Sequence, residues 1–139
     1  MSQQNISILS LTLIATGSVS ENRAVAFDGS QATVQGQKVM GTAMTRASNG
    51  EALAVVTHGT AIIEAGAAIT VGSALITDSQ GRAIPSSGAL SVASGAVAVT
   101  SSAANGAILR GADGPEFVFA DALQAASSAG ELIEVLLRR

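Results

Sequence analysis

Residues 51–85 read EALAVVTHGTAIIEAGAAITVGSALITDSQGRAIP, and this stretch decides the fold class. Short apolar runs rich in Val, Ile and Ala are separated by glycine-containing pairs such as His58-Gly59 and Gln80-Gly81. Short β-branched runs between turn residues, at this spacing, are typical of strands in small barrels and sandwiches. The pattern therefore predicts a mainly β fold, a small β-barrel or β-sandwich. The predicted strands of this region are residues 51–57, 60–63, 68–71, 74–77 and 82–84.

The remaining elements are predicted on either side of this stretch. Residues 37–44 form a further β-like run, and residues 131–137 form a strongly apolar closing strand. At most one short helix is expected, at residues 120–129 (ADALQAASSA), because Gly130 follows as a stop signal. A strand followed by a single helical turn is the alternative reading of that segment. Residues 86–107 contain almost only Ser, Ala, Gly and Val, and are predicted to form an exposed hairpin or loop.

The N-terminal segment alternates between apolar and polar residues. Ile6 and Ile8, then Leu9, Leu11 and Leu13, are separated by Ser and Thr, with one slip in the period at Ile8–Leu9. A strand that changes face at a bulge produces this pattern. We predict an N-terminal arm at residues 1–20 and a single β-rich domain at residues 21–139. An edge strand of the chain's own domain remains the alternative for residues 6–14.

Composition excludes several functional classes. Charged residues make up 12% of the chain and the formal net charge is −3, with no basic stripe and only three aromatic residues, all Phe. Nucleic-acid binding needs cations for the phosphates, so no nucleic-acid partner is expected. The sequence contains no run of eighteen apolar residues, so no membrane span is predicted. The N-terminus lacks the basic region of a secretion signal. Without cysteine there is no disulfide framework.

The sequence lacks the residue patterns of an enzyme. His58 is the only histidine, and its place beside Gly59 predicts a turn residue exposed to water. No phosphate-binding loop, nucleophile elbow or metal-ligand spacing occurs. Glu131 and Glu134 are predicted to act in capping and solvation of the closing strand. We therefore expect no catalytic, cofactor-binding or metal-binding residues, and no enzymatic activity.

Two stretches resemble a known family. Residues 64–85 (EAGAAITVGSALITDSQGRAIP) and residues 122–137 (ALQAASSAGELIEVLL) are similar to segments of the capsid cement, or head decoration, proteins of tailed bacteriophages. Residues 50–51 and 55–59 are similar to the preceding strand of that family. The N-terminal arm, residues 86–107 and residues 110–119 match no pattern of the family.

The resemblance implies a structural virion protein. Such a protein binds the outer surface of an assembled capsid and stabilises it, is made in the host cytoplasm and needs no cofactor. Its implied partners are the major capsid protein and further copies of itself, as a homotrimer or, alternatively, a dimer. Residues 6–14 and residues 132–137 are too apolar to form a free sheet edge in a soluble monomer. Their predicted inter-subunit contacts are Ile6, Ile8, Leu11, Leu13, Leu132 and Val135.

Two rival classes remain. A β-rich fibre, adhesin or other oligomeric interaction module fits the Ser/Ala/Gly-rich stretch, although no fixed internal period supports a solenoid. A carrier domain would present a lysine on a tight turn, but Lys38 lies within a predicted strand.

Overall fold

The computed structural model describes residues 3–87 and 116–138. These residues form eight β-strands and no helix, which confirms the predicted mainly β fold. The strands are β1 (Ser7–Ile14), β2 (Ala24–Val25), β3 (Gly41–Ala43), β4 (Ala52–Glu64), β5 (Ala74–Thr77), β6 (Ala83–Pro85), β7 (Ala120–Ala122) and β8 (Leu132–Leu137).

Strand β4 organises the sheet. It is 13 residues long, and its first half lies between β1 and β3 while its second half pairs with β8. In the first half, Leu53 and Val55 are buried in one core cluster and Val56, on the other face, in a second, whereas in the second half Ala61 and Ile63 are buried at every second position. The alternation of apolar side chains therefore explains why this segment is extended.

The predicted turn at His58-Gly59 is wrong. Both residues lie inside β4, and Gly59 has a φ of 99° within the strand. The register between β1 and β4 shifts on both sides of Leu9, opposite this point. A β-bulge therefore accommodates Gly59, and β4 continues through this position without a reversal of the chain. The same register shifts confirm the bulge predicted at Ile8–Leu9.

The sheet closes almost completely into a barrel. Its strand order is β2-β3-β4-β8-β7-β5-β6, with β1 attached to β4, and all pairings between strands are antiparallel. The two ends of the order meet where the Ala24 amide donates to the Gly81 carbonyl at 2.7 Å. Beside it, Arg23 donates to the Gln80 carbonyl at 2.8 Å and pairs with Glu64 at 2.6 Å. These bonds tie the β2 end of the sheet to the turn before β6, at the place where an open sheet would leave two free edges.

The core is built from small aliphatic side chains. The larger of its two clusters contains Ile63, Leu75, Ile133 and many alanines, with Phe119 as its single aromatic residue. The second cluster lies under β1 and includes Val19. Small side chains let the facing walls of the barrel approach closely, so its interior is filled in thin layers and needs few large residues.

Two predicted elements are absent. Residues 68–71 form no strand, and only Ile69 makes an isolated bridge, with Ala126. The predicted helix at residues 120–129 is wrong, because its first three residues form β7 between β5 and β8. Pairing on both sides outweighs the helix propensity of its alanines.

The N-terminal segment belongs to the sheet of its own chain. Strand β1 pairs with β4 from Ser7 opposite Gly59 to Ile14 opposite Ala52, the arrangement of the alternative edge strand. The division of the chain at residue 20 stays a prediction. Apart from its first two residues, the predicted loop at 86–107 lies outside the described residues.

The close contact of β3 with β4 gives a stability prediction. A Cβ atom on Gly41 would lie 1.9 Å from the Val56 carbonyl oxygen, and a main-chain atom within the barrel has little freedom to move. Gly41→Ala should lower the free energy of unfolding by about 2–4 kcal/mol in urea titrations. The control is Gly17→Ala, where no atom lies within 4 Å and the change should be within about 0.5 kcal/mol. Equal stability of the two variants would contradict the β3–β4 packing.

Candidate functional site

Strand β1 exposes apolar side chains on both faces. The N-terminal strip, defined as Ile6, Ile8, Leu9, Leu11 and Ile14, is solvent-exposed throughout, and Ile8 retains 78% of its accessible surface. A strand of a single soluble domain ordinarily buries one face. The strip is therefore the most unusual apolar surface of this part of the chain.

The strip also lacks the usual protection of a sheet edge. Among the described residues β1 pairs with β4 alone, which leaves its second edge without a neighbouring strand. Residues 1–20 contain no charged side chain. Charged side chains, prolines and short lengths normally prevent edge strands from pairing with other chains. An eight-residue edge without charges instead favours association.

Strand β8 extends this apolar surface. Leu132 and Leu136 are exposed, and the side chain of Gln3 donates to the Leu132 carbonyl at 2.7 Å. The residues before β1 therefore lie against the start of β8. Exposed apolar side chains from both strands border the same N-terminal segment.

The structure divides the predicted contact residues. Ile6, Ile8, Leu11 and Leu132 are exposed, and Leu13 is half-buried against the second core cluster. Val135 has no exposed surface, because it lies in the core between Ala61 on β4 and Ala122 on β7. Its assignment as an inter-subunit contact is wrong, since the barrel interior already covers it. The exposed Leu9, Ile14 and Leu136 were not among the named contact residues, although they lie in the same two predicted segments.

A buried carboxylate anchors the N-terminal segment. One oxygen of Glu134 accepts hydrogen bonds from the Asn5 amide at 3.0 Å and the Thr60 hydroxyl at 2.6 Å, and the other accepts from the Gln4 amide at 2.9 Å. Thr60 also accepts from the Ile6 amide at 2.7 Å. Three successive main-chain amides are thus held by one side chain and its partner.

The environment of Glu134 keeps it charged. Only 1% of its surface is exposed, so the predicted solvated role is wrong. Burial alone would raise the pKa of Glu134, but the hydrogen bonds from Thr60, Gln4 and Asn5 outweigh it and hold that pKa below its usual range. A glutamate inside the apolar run LIEVLL was the sequence signal for a partnered carboxylate.

His58 lies on β4 instead of in an exposed turn. Its ring is half-buried, and Nδ1 lies 3.1 Å from the Thr57 hydroxyl. No group of three or more His, Asp or Glu in residues 3–87 and 116–138 is arranged to hold a metal ion. The same residues contain no helix that is long and apolar enough to cross a membrane.

The fold and this surface together define a class. A small antiparallel barrel with an uncharged, exposed edge strand is a β-barrel interaction module, because such a strand offers both main-chain and apolar contacts. Residues 2–112 match the family model described as phage cement protein, and the chain belongs to this family. Its role is therefore structural, in the decoration and stabilisation of a phage capsid, and it is located in the virion capsid.

The comparisons also test the resemblance found by sequence. The family match includes residues 64–85 and β1, and ends before residues 122–137. The N base of head fiber gp8.5 of bacteriophage phi29 has a similar structure, with a TM-score of 0.62 and 19% identity, over 94% of this chain and 93% of that chain. At this identity the likeness shows the fold alone. No curated protein sequence matches the chain significantly.

The Glu134 anchor gives a prediction for Glu134→Gln. The amide side chain presents a donor where a charged acceptor stood, so protection of the Gln4 and Asn5 amides from hydrogen exchange should fall at least about tenfold at neutral pH. The control is Glu131→Gln, which removes an exposed carboxylate bonded to Ser127 and Ser128. Unchanged protection in Glu134→Gln would contradict the anchor.

The pH dependence of the anchor follows from the lowered pKa. A carboxyl group whose pKa is lower in the folded state stabilises that state above its unfolded pKa, and this contribution disappears as the pH falls through the folded value. Protection factors of the Gln4 and Asn5 amides should therefore be constant near neutrality and decrease only in acid, below the ordinary range of glutamate. Loss of protection between pH 8 and 6 would point to another group.

Proposed function

We propose that the protein binds the outer surface of the assembled capsid as a homo-oligomer and that its partner in the shell is the major capsid protein. The observation that carries this proposal is the N-terminal strip, an uncharged edge strand with apolar side chains exposed on both faces. One face of such a strand suits contact with a second copy, while the other face and the free edge suit contact with the shell.

The physical advantage of an oligomer is avidity. A capsid presents equivalent sites at symmetry-related positions, so several copies held together bind the shell with a high effective concentration. Each contact can then be modest. A homotrimer fits a local threefold site, and a dimer is the alternative. Pairing through a free strand edge supplies main-chain hydrogen bonds that need no special side chains.

The proposed role involves no catalysis and no cofactor. The chain has one histidine, no cysteine and none of the motifs that supply a nucleophile, a phosphate cradle or a metal site. The protein is made in the host cytoplasm and binds after the shell has assembled. The acidic net charge of −3 suits the outer surface, away from the packaged genome.

A second candidate is a module of a head fibre. It is favoured by the fold shared with the N base of head fiber gp8.5 of bacteriophage phi29. A fibre base must support a projecting structure, whereas a cement protein forms a compact cap. Cryo-electron microscopy of capsids carrying only this chain distinguishes a low cap from a base with an open upper face.

The test of binding is co-sedimentation of the purified protein with expanded capsids and with unexpanded proheads of its phage. We expect saturable binding to expanded capsids and little binding to proheads, because a junction between subunits that forms on maturation provides the site. Absence of binding to both particles would overturn the proposed function and favour the fibre or adhesin class.

The contribution of the strip is tested by the double substitution Ile8→Thr and Leu11→Thr. Threonine is β-branched and suits a strand but removes apolar contact area, so binding to expanded capsids, or self-association in sedimentation velocity, should weaken about ten- to a hundredfold. The control is Val71→Thr at an apolar position in the turn before β5, where 66% of the residue is exposed, between the values for Leu11 and Ile8. Loss of binding in the control alone would show that the strip is not the interface.

A further inference from the structure

A polar cavity lies beside the N-terminal segment. It has a volume of about 200 Å³ and opens between residue 5, the segment before β2, and strands β3 and β4. Asn5, Glu21, Asn22 and Thr42 supply its polar lining. None of these four residues belongs to the apolar strip, so the cavity is a separate feature of the same region.

Thr42 is the first sign of a missing partner. It is 1% exposed, and its hydroxyl oxygen is buried without a hydrogen bond to any described residue. A buried hydroxyl without a partner is costly, and native proteins rarely keep one without a reason. In contrast, Thr77, the other threonine buried in a short strand, donates its hydroxyl to the Val34 carbonyl at 3.3 Å.

The backbone provides a second sign. Asn5 and Asn22 have φ values of 50° and 59°, and they are the two residues other than glycine with positive φ among residues 3–87 and 116–138. Both line this cavity. Left-handed backbone is uncommon at non-glycine residues, although asparagine adopts it more readily than most, and the surrounding structure must hold it in place. Here the Asn5 amide is held by Glu134.

Glu21 supplies the charge at the mouth of the cavity. It is exposed, and the ion pairs formed within the described residues are Arg23–Glu64, Arg82–Asp78 and Arg138–Asp121, which leave it without a cation. The remaining lining residues include Val56 and Ile62, whose side chains are apolar. A charged rim, an unpaired inner hydroxyl and apolar lining side chains suit an amphipathic cationic side chain.

We propose that this cavity receives an arginine side chain from the capsid shell protein. Its guanidinium group pairs with Glu21 and donates to the Thr42 hydroxyl, while its aliphatic stem lies along Val56 and Ile62. A guanidinium group suits this arrangement because its five N–H donors form a planar fork that reaches several acceptors at once. This inference rests on the proposed capsid binding and names one contact of that interface.

The shell is a better source of the arginine than a second copy of the chain. Three arginines are engaged in the ion pairs above, and the Lys38 ammonium lies 5.7 Å from the centre of the Phe27 ring. Among the described arginines and lysines, Arg46 alone has none of these contacts. The net charge of the chain is −3. An acidic protein with few spare cations is complementary to a basic patch on its partner.

Thr42→Val separates binding from stability. Valine has the same shape without the unpaired hydroxyl, so the free protein should melt about 2–5 °C higher. Its binding to expanded capsids in co-sedimentation should nevertheless weaken about tenfold, because the arginine loses an acceptor. Thr77→Val is the matched control. It removes a bonded hydroxyl, so it should melt lower and bind capsids as the wild type does.

Glu21→Gln tests the charge. Binding should weaken about tenfold at low ionic strength and approach that of the wild type at high salt, because only the wild type gains from the ion pair. The control is Glu51→Gln, an exposed carboxylate that caps the Ser48 amide and lies outside the cavity. Its binding and salt dependence should match those of the wild type.

The outcomes discriminate among the explanations. Stabilisation in Thr42→Val with unchanged capsid binding would mean a solvent-filled cavity only, and would overturn the proposal. If Glu21→Gln and Glu51→Gln weaken capsid binding equally, the effect reflects the net charge of the protein and not the cavity. This result would also overturn the proposal. If the wild type binds expanded capsids and the variants bind equally well, the arginine site alone is refuted. If the wild type does not bind, the proposed function is refuted together with the arginine site.

Discussion

The pairing of β4 with three other strands constrains the whole molecule. Its first half is hydrogen-bonded between β1 and β3, and its second half is bonded to β8. The change of partner occurs next to Gly59, where a Cβ atom would lie 2.3 Å from the Ile6 carbonyl oxygen. Only glycine fits so close an approach at that positive φ. The barrel core, the position of β1 and the exposure of the β1 side chains all depend on β4, because β1, β3 and β8 are hydrogen-bonded to it.

The charged residues of the barrel serve mainly internal structure. Glu134 binds the amides of the N-terminal segment, and Asp78 accepts from the Gln80 and Arg82 amides and from the Arg82 guanidinium group. Burial alone would raise the pKa of Asp78, but these hydrogen bonds and the neighbouring charge lower it. The N-terminal strip itself carries no charged side chain. Association there depends on apolar area and main-chain hydrogen bonds, which suits a protein whose role in a capsid is mechanical.

Local patterns were reliable where the structure depends on periodicity. The bulge at Ile8–Leu9 and the closing strand were predicted correctly, because alternation with period two is a property of the segment itself. The turn at His58-Gly59 and the helix at residues 120–129 were wrong. In both places a strand distant in sequence supplies the hydrogen bonds, and this pairing outweighs the local preference of glycine for turns and of alanine for helices.

The sequence by itself determined the β class, the core of small aliphatic residues, the apolar uncharged N-terminal strand and, through its resemblance, the family. Each of these depends on composition or on short-range order. Only the tertiary structure decided that Val135 is covered, that Glu134 anchors residues 4 and 5, and that Thr42 shares a cavity with Glu21. The physical reason is that the partners are remote: Thr60 and Glu134, whose hydrogen bond helps to hold β1, are separated by 74 positions in the chain. Which distant strands meet is a property of the closed barrel as a whole, and no single segment encodes it.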